Sequence, residues 1–171
     1  MRKSLIMLTS AMAVAIAALA GIAGASTSTQ GADIYGVGGG KTDFGMTTFN
    51  MSAHSTGTRD FGTIGVTEFV GTTSEASYTI DVDCVHITGQ TGVISGLVKK
   101  LSPATSIEPT LGERVDVLIG DGGEPSPQSA PVDAFYPNHP AVTTDSTQCK
   151  NLALAFPLQN VTQGNVVIKN G

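Results

Sequence analysis

The sequence predicts an all-β fold: a single antiparallel β-sandwich, or barrel-like, domain of about eight or nine strands. Three observations predict it. Short runs rich in Val, Ile and Thr alternate apolar with polar residues and are punctuated by Gly, Pro, Asn and Asp. No segment beyond residue 25 carries the 3.6-residue period of an amphipathic helix, and without αβ alternation a parallel doubly wound sheet is excluded. Charged residues make up only 13% of the 171, while mean hydropathy is positive, which suits a β-rich domain and argues against disorder.

The first 25 residues read as a signal peptide. Arg2 and Lys3 precede an apolar run over 5–22, and Ala23-Gly24-Ala25 presents small residues to a peptidase, so cleavage is expected before Ser26. The run approaches the length of a membrane span, but the cleavage site and the Ser/Thr stretch after it favour removal, leaving no span in the mature protein. No cysteine lies near the cut to carry a lipid. Residues 26–32 are expected as a flexible N-terminal segment and 33–171 as the β domain, secreted or held at the cell envelope. Nine Lys and Arg less Arg2 and Lys3 leaves 7 against 14 Asp and Glu, an acidic balance without a basic cluster. Nucleic acid is therefore a poor partner.

The element order follows from the alternation. Strand-like material occupies 34–37, 44–53 and 59–70. The clearest strand is 78–84, where Tyr78, Ile80, Val82 and Cys84 share one face and Thr79, Asp81 and Asp83 the other, placing the Cys84 sulfur on the core face. Beyond Cys84 the phase slips to Val85 and Ile87, which a bulge or a change of sheet would explain. Residues 93–98 complete a hairpin, 115–119 form the next strand, and 151–156 and 161–169 the last two. Between them, 121–140 reads as a long loop with five prolines, a length usually tied to function. The two cysteines, Cys84 and Cys149, are expected to form one disulfide in an oxidising compartment.

Several segments resemble a family of small exported bacterial proteins of actinobacterial type, most without an assigned function. They are Gly36-Val37-Gly38-Gly39-Gly40, Phe44-Gly45, Asn50-Met51-Ser52-Ala53-His54, Asp81-Val82-Asp83-Cys84-Val85, Gly120 through Pro125, Pro131-Val132-Asp133 and Gly164-Asn165-Val166-Val167-Ile168. The resemblance implies a compact β-sandwich-like domain and carries over no catalytic residue. Where that family has Asn-Gly-Glu-Pro, this chain has Gly122-Gly123-Glu124-Pro125.

The chemistry-bearing residues form no recognised motif. Gly36 through Thr42 falls one residue short of a phosphate-binding loop and leads into a strand, where such a loop needs a helix start. Asp81 and Asp83 on one strand face are the candidates for calcium, with Asp121, Glu124 or Asp133 as further oxygen donors; otherwise no cofactor is expected. The same pair suits glycoside hydrolysis poorly in a chain without Trp and with three Tyr. His54, His86 and His139 stand in no zinc spacing, and no G-x-S-x-G elbow supports a Ser-His-Asp triad. The candidate binding loop comprises Asp121, Glu124, Asp133, Phe135, Tyr136 and His139, aromatics within a polar stretch. The resulting expectation is a non-catalytic exported module that binds a protein or glycan partner. The alternatives are an extracellular hydrolase of cell-wall or other polymers and a calcium-dependent adhesion domain.

Overall fold

In the computed structural model, which describes residues 31–42, 45–70, 73–103, 109–123, 133–139, 141–152 and 159–170, eight antiparallel strands close into a barrel in sequence order. They are β1 (Ala32–Thr42), β2 (Gly45–Ser55), β3 (Asp60–Val70), β4 (Thr73–Thr88), β5 (Thr91–Ser102), β6 (Arg114–Gly120), β7 (Ala134–Asn138) and β8 (Gln159–Lys169), with one 3-10 turn at Gln148–Asn151. The expectation of an all-β antiparallel domain holds, in its barrel-like form: one closed sheet and not two packed ones. β7 lies inside the stretch expected as loop, and Asn151 belongs to the 3-10 turn, where the alternation suggested a strand. The signal-peptide segment, Glu124, Leu154 and Phe156 lie outside the described residues.

Strand alternation fills the barrel. Ile34, Met51, Ile64, Ile80, Ile94, Val117 and Val166 are buried and belong to one continuous core. The Gly-rich run of β1 has a packing role in it. A side chain at Gly36 or Gly38 would meet the Phe49 ring at 3.3 or 3.1 Å, so the bare backbone leaves a slot for that ring. Phe135 stacks on Phe49, centroids 4.1 Å apart and planes within 11°.

Among the described residues, closure is weakest between β7 and β8, which share the pairs Ala134↔Asn160 and Phe135↔Gln159. Two carboxylates extend that short ladder. Asp133, 8% exposed, accepts hydrogen bonds from the amides of Gly122 (2.9 Å) and Val166 (2.5 Å), and its carbonyl accepts from Val161 N–H (2.7 Å). Asp121 accepts from the amides of Gly123 (2.7 Å) and Ile168 (2.8 Å). Amides that would otherwise be buried without a partner are thereby satisfied by charged acceptors, the stronger kind.

The phase slip in β4 is a bulge. Val82 pairs with Gly96 and Cys84 with Ser95, so Asp83 is the extra residue. Its effect corrects the expected position of the disulfide: Val85 joins the barrel core, whereas Cys84 belongs to a separate outer cluster with Val93, Cys149 and Leu152. There the disulfide Cys84–Cys149 anchors the segment 141–152 against β4, β5 and β6. Asp116, 1% exposed, fixes the start of that strap, accepting from the amides of Val142 (2.9 Å) and Thr143 (3.0 Å) and from the Thr143 hydroxyl. Thr143 and Ser95 hydroxyls are 3.0 Å apart, and Lys150 reaches Asp60 at 3.4 Å.

Asp133→Ala, which strands two amides, is expected to lower unfolding free energy by about 2–5 kcal/mol in denaturant titration, with Asp133→Asn losing less because it keeps one acceptor. For Cys84→Ser, the loss of a bridge spanning 65 residues predicts a drop of about 4 kcal/mol against the oxidised protein, read in the same titration.

Candidate functional site

The residues singled out in the sequence are mostly occupied by the fold. Asp121 and Asp133 hold β8, and Phe135 is a core residue, 4% exposed, so the expected binding loop loses three of its members to structure. Tyr136 is half-buried and lies opposite Leu118 on the outer face. His139 lies at one end of the barrel, its Nε2 3.3 Å from Glu68 Oε1 and its ring edge-on to Tyr78. Asp81 and Asp83 do not converge: Asp81 stands 3.9 Å from Lys99, and Asp83 takes a two-pronged contact from Arg114 at 2.7 and 2.8 Å. The Asp83 hydrogen bond raises the Arg114 pKa against an opposing effect of burial. Among the described residues, no group of three or more His, Cys, Asp or Glu is arranged to hold a metal ion.

A different constellation emerges on the outer face of β8, β1, β2 and β3. Alternation along Asn50-Met51-Ser52-Ala53-His54 turns Met51 and Ala53 into the core, leaving Asn50, Ser52 and His54 on the outside. Register then sets Asp33 and Phe61 on either side of His54, and Tyr35 beside Ser52. His54 Nδ1 is 2.8 Å from Asp33 Oδ1, and Nε2 is 2.9 Å from Ser52 Oγ. An ionised carboxylate only accepts, so the Asp33 contact calls for a proton on Nδ1; in that neutral tautomer Nε2 is an acceptor for the Ser52 hydroxyl.

Aromatic rings hold this imidazole in place. Phe61 stacks on it at 5.1 Å between centroids, and Tyr35 meets it edge-on at 5.4 Å. Arg59 lies over Phe61 and Lys169 over Tyr35, so a cation caps each end of the row. Tyr35 and Phe61 are 37% and 40% exposed, and Val37 next along β1 is 64% exposed. Further along the same four strands runs a shallow groove of about 390 Å³, lined among others by Val37, Met46, Asn50, Thr67 and Gln163. Gly65 is part of its floor: a Cβ there would strike the Asn50 amide at 2.8–2.9 Å. Sequence reading missed this site because its parts come from separate strands. Its one local signal was the spacing of Ser52 and His54, two apart on a strand.

The chain matches no protein-family model, and no curated protein or solved structure is significantly similar to it.

The Tyr78–Glu68–His139 cluster has a pH signature of its own. Tyr78 is 2% exposed and donates to Glu68 Oε1 at 2.8 Å; burial first, then the Glu68 charge, pushes its pKa well above the ordinary phenol value. The unfolded chain therefore loses this proton first. The stabilisation is complete below about pH 10 and is lost as pH rises through the higher folded-state value. Tyr78→Phe is expected to flatten the alkaline limb of a stability–pH curve while costing about 1.5–3 kcal/mol at neutral pH for the lost hydrogen bond.

Proposed function

We propose that the chain works outside the cytoplasm, after removal of an N-terminal signal, as an interaction module whose contact face is the outer surface of β8, β1, β2 and β3. The observation that carries this reading is the half-exposed row Tyr35–His54–Phe61 beside a shallow groove on one sheet face. A disulfide supports an oxidising compartment. Among the described residues no helix is long and apolar enough to cross a membrane.

Of the two partner classes expected from the sequence, the face favours a glycan. Ser52 lies beside the aromatic row and Asn50, Thr48 and Thr67 line the groove, so the face presents hydroxyl and amide groups along its length. A sugar polymer offers the complement: C–H faces that stack on aromatic rings and hydroxyls that exchange hydrogen bonds with uncharged side chains. The binding loop expected from the sequence offers less, since its described carboxylates and Phe135 already serve the fold.

The test is calorimetric titration with purified envelope polysaccharides and defined oligosaccharides. Tyr35→Ser with Phe61→Ser is expected to weaken binding about tenfold or more while moving stability little, both side chains being partly exposed. Binding that survives the double substitution unchanged would place the contact face elsewhere, and a wild-type protein inert toward every glycan would refute the glycan assignment.

A further inference from the structure

We propose that Ser52, His54 and Asp33 form an acyl-transfer centre that hydrolyses carboxylic esters, an activity beyond the binding proposed above. The order of contacts is the one nucleophilic serine catalysis requires. Asp33 holds Nδ1 of His54, Nε2 faces the Ser52 hydroxyl, and both distances, 2.8 and 2.9 Å, are full hydrogen bonds. Three residues from two adjacent strands supply nucleophile, base and orienting carboxylate without a sequence elbow, since the arrangement is defined by geometry and not by chain order.

Stability alone does not account for it. The side chains of His54 and Asp33 are 26% and 41% exposed, where water would satisfy each group and a pair adds little to stability. Yet the ring is immobilised from two sides by Phe61 and Tyr35, which presents Nε2 to Ser52 in one orientation. Asn50, two residues before Ser52 on the same outer face, sets a side-chain amide over Gly65 at the edge of the groove. That amide is the donor assigned to the oxyanion, and the groove receives the acyl or alcohol portion of the ester.

The steps balance. Ser52 Oγ bonds to the ester carbonyl carbon as its proton passes to His54 Nε2, and the imidazolium is held by Asp33. The carbon–oxygen bond to the alcohol breaks, and the departing alkoxide takes the proton from Nε2, leaving an acylated Ser52. Water then attacks the acyl carbon, giving its proton to Nε2, and the bond to Ser52 Oγ breaks as Oγ recovers that proton. Ester and water become carboxylic acid and alcohol, with no oxidant, reductant or metal in the balance.

The experiment treats the oxidised protein with p-nitrophenyl acetate and, separately, with a fluorophosphonate probe followed by peptide mass spectrometry. The expected result is release of p-nitrophenol with a basic limb in the pH–rate profile, and a single probe adduct on Ser52. Ser52→Ala should abolish the adduct, and His54→Ala and Asp33→Asn should each lower the rate by about 100-fold or more, with thermal unfolding confirming that each variant folds. No adduct on a folded wild-type protein, an adduct elsewhere, or turnover that persists in Ser52→Ala overturns the proposal. Glycan titration of Ser52→Ala separates the two readings: binding without esterase activity in the wild type refutes only this one, and esterase activity without glycan binding refutes only the other.

Discussion

Closure of the barrel depends on two carboxylates placed where strand pairing gives out. β7 is five residues long and, among the described residues, pairs with β8 at two positions. Asp133 and Asp121 accept from the amides of Val166 and Ile168 and so continue the ladder with side chains. Without them the amides of Val166 and Ile168 would lose these acceptors where the seam is least supported by strand pairing. The outer face of β8, β1, β2 and β3 is held by its own long ladders, among them the β1–β8 register that sets Lys169 opposite Asp33.

A second constraint works from outside. The bulge at Asp83 rotates Cys84 away from the interior, and the residue it displaces is not wasted, since Asp83 grips Arg114 two strands away. The strap from Ala141 to Leu152 then covers Val93, an apolar side chain that a simple barrel would leave wet. Asp116 binds one end of the strap by hydrogen bonds and the disulfide binds the other. The result is a partial second layer over β4, β5 and β6, opposite in character to the open face across the barrel.

Much of the fold was legible in the sequence, and the site was not. Period-2 alternation located seven of the strands, and the two cysteines named their own partner. Alternation also flagged the slip after Cys84, but it placed the break one residue late and so assigned the sulfur to the wrong face. Asp121 and Asp133 looked like candidate ligands because acids in a Gly- and Pro-rich stretch are ordinarily solvated; besides nearby glycine amides they also bind the amides of Ile168 and Val166, 47 and 33 residues away, which no local pattern encodes. The Ser52–His54–Asp33 chain is hidden for the same reason. Ser52 and His54 are local, but Asp33 joins them only through the β1–β2 register.

The pairing of β1 with β8 also orders events in time. These strands are the first and last of the barrel in sequence, Asp33 facing Lys169, so theirs is the longest-range pairing among the described strands. Hairpins such as β4–β5 can form as soon as their turns exist, whereas the final zipper must wait until the last strand has been synthesised. Until then β1 presents a free, glycine-rich edge able to pair with another chain. Pairing with β8 therefore covers an edge that would otherwise invite self-association.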